Sequence, residues 1–130
     1  MKLQKLFPAL LLTGMLPLAG TAHASQPPAG AIVNIAELDV DPVQVEAFKA
    51  AVKEEMDDSV RIEPGVHAIY AVAHKNDPAK FMFFEIYASR QAQDEHRKTP
   101  HFRKFLDITK DMVRGRRIVE TDAVHLVSKP

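Results

Sequence analysis

The chain contains no cysteine, and its 17 basic residues are balanced by 17 acidic ones. The first absence excludes disulfides, so the fold must be held by packing alone. The second leaves no basic surface of the kind that nucleic acid or an anionic membrane would select. A glycine-rich phosphate loop, a nucleophile elbow, an internal repeat and a low-complexity tract are also missing. His67 and His74 lie seven apart in a predicted strand and so fall on opposite faces. His96 and His101 lie five apart, which does not place them on one helical face. Neither a metal site nor any other cofactor is expected from these spacings.

One long apolar run is present, from Leu6 to Leu18, but Pro8 and Pro17 interrupt it. A bilayer-spanning helix needs about 20 apolar residues, so a membrane span is not expected. Lys2 and Lys5 precede the run, and Ala22-His23-Ala24 follows it with small residues at the two positions a signal peptidase reads. That layout predicts a cleaved signal peptide over residues 1–24 and a secreted or periplasmic product. Removing those 24 residues leaves 106, with 15 basic and 17 acidic side chains, enough for one domain with a modest core. Residues 25–30 read as a short linker and 31–130 as the domain.

Within the domain, Ala31 to Val40 reads as a strand. Asp41-Pro42-Val43-Gln44 then supplies an N-cap, a proline at the first helical position and a capping-box glutamine. Val45, Phe48, Val52 and Met56 recur at helical spacing in a helix running to about Arg61. Glu63-Pro64-Gly65 turns the chain into a strand over Val66 to His74. A turn at Asn76-Asp77-Pro78 leads to a third strand, Lys80 to Tyr87, completing a hairpin. Ser89 caps a polar helix through Lys98. Thr99-Pro100 opens a second helical piece with Phe102, Phe105, Leu106, Thr109 and Met112 or Val113 as its stripe, and Gly115 is expected to end it. Arg116 to Val127 reads as the last strand.

The order β-α-β-β-α-β is the ferredoxin-like arrangement, an α+β fold with a four-stranded antiparallel sheet and both helical crossovers on one face. The other face should then be polar, yet both sides of the strands are apolar. Met82, Phe84 and Ile86 oppose Phe81, Phe83 and Tyr87, and Val33 and Ile35 oppose Ile32, Ala36 and Leu38. A second copy of the chain is the economical cover, so a homodimer is expected.

Glu63-Pro64-Gly65, then Phe83-Phe84-Glu85-Ile86-Tyr87, then Glu95-His96-Arg97-Lys98-Thr99-Pro100-His101-Phe102, together with Asn34 on the first strand, resemble the antibiotic-biosynthesis-monooxygenase family. The resemblance spans about Ile32 to Leu126. It implies a dimeric α+β barrel with a pocket in each subunit between sheet and helices. Family members include oxygenases of polyphenols and quinols that need no metal or flavin, haem-degrading proteins, and an isomerase of a phosphorylated autoinducer. The stretch Arg103 to Lys110 lacks the histidine that the haem-degrading relatives place there, so haem is not expected.

His96 and His101 are the candidate catalytic bases. The stripe Ala88, Ala92, His96 should leave space beneath its helix, and an imidazole facing a cavity suits removal of a phenolic proton. His101 follows Pro100 at a helix start, where the dipole favours a neutral ring. Substrate contacts are expected from Asn34 as positioning group, from Glu85, and from Phe83, Phe84 and Phe102 as wall. The expected function is cofactor-independent monooxygenation of a small aromatic such as a quinol or polyphenol. A non-catalytic dimer that binds a small ligand in the cell envelope is the alternative. N-terminal sequencing of the protein from its native cell should begin at or near Ser25, and a mature form still starting at Met1 would overturn export.

Overall fold

The computed structural model describes residues 27–128. The expected leader, and the start of the linker, lie outside them. Strand β1 spans Ile32–Val40, a 3-10 turn Pro42–Gln44, helix α1 Val45–Ile62, strand β2 Val66–His74, and strand β3 Asp77–Tyr87. Helix α2 spans Arg90–His96, helix α3 Pro100–Thr109 and strand β4 Val113–Thr121. The sheet order is β2-β3-β1-β4 with every pair antiparallel, and the helices form the two crossovers. This is the expected α+β, ferredoxin-like architecture. Among the described residues no helix is long and apolar enough to cross a membrane.

Local chemistry explains most boundaries. The Asp41 carboxylate accepts from the Val43 N–H at 3.1 Å, and Pro42 needs no donor partner at the helix start. Phe48 is fully buried at the centre of the α1 stripe. It stands edge-on to Phe81, with ring centroids 4.9 Å apart, and also meets Phe105. Burying a side chain of that size contributes about 1.5–3 kcal/mol.

Three boundaries differ from expectation. The β2–β3 turn is the two residues Lys75 and Asn76, so Asp77 and Pro78 already belong to β3. Pro78 is tolerated because it precedes Lys80, the first β3 residue paired to β1. Gly115 does not end α3. The helix stops at Thr109, and Gly115 is the third residue of β4, opposite Asp39 at the register shift, where an added Cβ would stand 3.0 Å from the Asp39 carboxylate. β4 ends at Thr121 rather than Val127 because its pairing with β1 ends at Val33, beside the start of β1.

Both faces of the sheet are apolar, as the strand patterns imply. Asn34, Ala36, Phe83 and Tyr87 face the helices. Ile35, Met82, Phe84 and Val119 face away, beside Tyr70 and Val72, which are 60% and 59% exposed.

The expectation that alanines leave space beneath α2 requires correction. Ala92 packs directly on Gly65, whose hypothetical Cβ would lie 2.5 Å from the Ala92 Cβ, and the Ala88 N–H donates to the Gly65 carbonyl at 2.8 Å. The small residues bring helix and turn into contact. Gly65→Ala should therefore destabilise the protein by about 1–3 kcal/mol in urea unfolding, and adding Ala92→Gly should restore part of the loss. Unchanged stability in Gly65→Ala would contradict this packing.

Candidate active site

A break between two helices builds the site. Pro100 cannot continue a helix from His96, and it holds Thr99 in an extended conformation, φ −66° and ψ 150°. The Thr99 hydroxyl accepts from the Phe102 N–H at 3.3 Å and donates to the His96 carbonyl at 2.8 Å, so one side chain closes α2 and opens α3. The two histidines consequently sit on separate helices, their ring centroids 6.5 Å apart. The spacing argument that separated them assumed one continuous helix, and the break overturns it.

Both rings meet the same atom. His96 Nδ1 lies 3.0 Å and His101 Nε2 2.5 Å from Oε1 of Glu63, the residue that caps α1. Burial resists ionisation of Glu63, but the hydrogen bonds from His96 and His101 outweigh it and hold the carboxyl below its usual range. An ionised carboxylate only accepts, so both ring nitrogens donate to it. In a neutral His96 this leaves Nε2 as a free acceptor, 3.7 Å from Oε1 of Glu55.

Glu55 is itself buried on α1, where it accepts from the Ser59 hydroxyl at 2.6 Å. Burial pushes its carboxyl above the ordinary value, partly offset by Ser59 and His96. A cavity of about 370 Å³ opens between sheet and helices, with His96, Glu55, Asn34, Glu85, Phe83 and Phe102 in its wall. Tyr87 also lines it and donates to Glu85 at 3.0 Å. Burial, reinforced by Glu85, pushes that phenol far above its ordinary range and keeps it a donor.

Most of the expected site residues therefore converge. Asn34, Glu85, Phe83, Phe102 and His96 share the cavity. His101 stands behind His96 and borders a separate small crevice near Glu54 and Lys104. Phe84 belongs to the opposite face, paired with Ile35, because successive strand residues alternate sides, and it cannot form part of the wall. The sequence reading missed three participants. In sequence Glu63 marks a turn and a family motif but carries no signal of a place in the site. Glu55 extends the stripe Phe48, Val52, Ser59 at helical spacing, and a carboxylate there was a legible signal. Gln93, 1% exposed, lines the cavity one turn before His96.

Comparison with known proteins identifies the family. The sequence profile of the family described as antibiotic biosynthesis monooxygenase matches residues 31–107, more than half of the chain, and the protein belongs to that family. A Bacteroides thetaiotaomicron structure named for the same family is similar, with a TM-score of 0.74 and 35% identity, covering 78% of this chain and 97% of that one. A Nitrosomonas europaea structure, also named for it, has a TM-score of 0.69 and 27% identity over 72% of this chain and 99% of its own. An uncharacterized protein of Synechocystis sp. is 30% identical over 82 residues, 63% of this chain. The chain spans about half, 55%, of that relative's length.

Proposed function

We propose that the protein is a cofactor-independent monooxygenase of a small, electron-rich aromatic substrate, with His96 as the general base. The observation that carries this reading is the anchoring of His96 Nδ1 on Glu63, which leaves Nε2 as a proton acceptor in the wall of a cavity lined by both aromatic and polar side chains. A quinol or polyphenol lying against Phe83 and Phe102 loses its phenolic proton to Nε2. The phenolate then supplies the electrons that reduce dioxygen, so the substrate acts as its own reductant. Asn34, 4% exposed on the same face of β1 as Ala36 and Leu38, offers a donor and an acceptor to hold a substrate oxygen. His101 shares the carboxylate with His96 and acts as a positioning residue.

Export is part of the proposal, supported by the basic start, apolar run and small residues of the leader. So is a homodimer, supported by the exposed apolar face around Tyr70, Val72 and Phe84. An obligate pair would bury roughly 2,000 Å² or more.

Two measurements test these points. His96→Gln keeps a hydrogen-bonding side chain but removes the base, so oxygen uptake with a quinol panel should fall by about 10²-fold or more. Normal turnover in that variant would remove His96 from the role, and ligand binding without turnover in the unaltered protein would favour the non-catalytic alternative. For assembly, sedimentation should show a dimer at micromolar concentration, with Phe84→Glu shifting it to monomer. A monomeric unaltered protein would refute the shared interface.

A further inference from the structure

We propose that Glu63, His96 and His101 form a binding site for a divalent transition-metal ion of the zinc, cobalt or nickel kind. One carboxylate oxygen and two imidazole nitrogens lie within 4.8 Å of one another. They come from the end of α1, the end of α2 and the first turn of α3, so no single helix has to bend to present them. Two ligand atoms bound at about 2.1 Å in a tetrahedron stand roughly 3.4 Å apart. The 3.0 Å between His96 Nδ1 and Glu63 Oε1 would therefore open by about 0.4 Å on metal binding. The 2.5 Å contact of His101 would open by about 0.9 Å, through rotation of a side chain in the first turn of α3.

Electrostatics favours a cation here. The Glu63 side chain is only 11% exposed, and among the described residues its ion-pair partners are the two histidines alone. No lysine or arginine pairs with this partly buried carboxylate among the described residues, so no fixed side-chain cation occupies the place a metal ion would take. A bound metal would replace the ring protons now donated to Glu63.

The ligand chemistry narrows the ion. Two imidazoles with one carboxylate suit borderline first-row metals, whereas magnesium and calcium prefer oxygen alone. The far nitrogen of His96 stands 3.7 Å from Glu55, beyond hydrogen-bond distance, so that carboxyl is near the ring without holding it. Metal on Nδ1 would fix the remaining ring proton on Nε2. The ion and the proposed base are thus alternative states of one cluster, and the metal site rests on the ligand geometry rather than on turnover.

The test is a titration of the full chain, freed of metal with a chelator and dialysed. Cobalt(II) uptake is followed by its visible absorption and zinc(II) uptake by calorimetry. One ion per chain is expected to bind, with affinity reduced at least 10-fold in both Glu63→Gln and His101→Ala. His125→Ala, an exposed histidine outside the cluster, should bind as the unaltered protein does. Circular dichroism checks that each variant is folded, with His101→Gln as the substitute should His101→Ala fail. Absence of cobalt and zinc binding, or equal binding by the folded Glu63 and His101 variants, overturns the site. Binding is read without substrate, so its failure leaves the His96 base standing, and normal turnover of His96→Gln leaves the metal result standing.

Discussion

A single carboxylate oxygen organises the functional end of this protein. Glu63 leaves α1 in an extended conformation, and its side chain receives one ring from the end of α2 and another from the start of α3. Three segments distant in sequence thus converge on an atom that is largely removed from water. In such surroundings the hydrogen bonds are stronger than at the surface, and the loss of either partner leaves a poorly compensated charge. The close approach of Gly65 to Ala92 makes this convergence sterically possible, because it lets α2 lie directly on the turn that carries Glu63.

The carboxylates of the site occupy contrasting environments. Glu63 is held ionised by two donors, while Glu55 is pushed toward its protonated form by burial. His96 lies between them. Its Nδ1 is committed to Glu63, and its Nε2 is left on the Glu55 side, where the cavity opens. An imidazole with one nitrogen fixed and the other free is the arrangement that general-base chemistry needs. The same geometry, read as a ligand set, is also compatible with a cation. What separates these uses is whether protons or a metal ion neutralise Glu63.

The sheet divides its labour by the strand period of two. Asn34, Phe83, Glu85 and Tyr87 turn toward the helices and furnish the cavity. Ile35, Phe84, Tyr70 and Val72 turn away and present an apolar surface that the single chain leaves partly open. Phe83 and Phe84 are adjacent in sequence yet belong to different faces. The placing of both in the wall was an error that alternation alone could have prevented.

Much of the fold was legible in residue patterns. The helical stripe of Phe48 and Val52, the caps at Asp41, Ser89 and Thr99, and the apolar strands lead to the observed element order, because each depends on neighbours within a few residues. Element ends were less legible where pairing decides them. β4 stops at Thr121 because its pairing with β1 runs out, which no local signal in Asp122 to Val127 reveals. For the site, sequence alone determined that Asn34, Glu85 and His96 stand out as polar groups on apolar faces. Only the tertiary structure decided that Glu63 joins His96 to His101, 33 and 38 residues further along the chain. A hydrogen bond at that separation depends on the path of the whole backbone between its partners, and no periodicity encodes it.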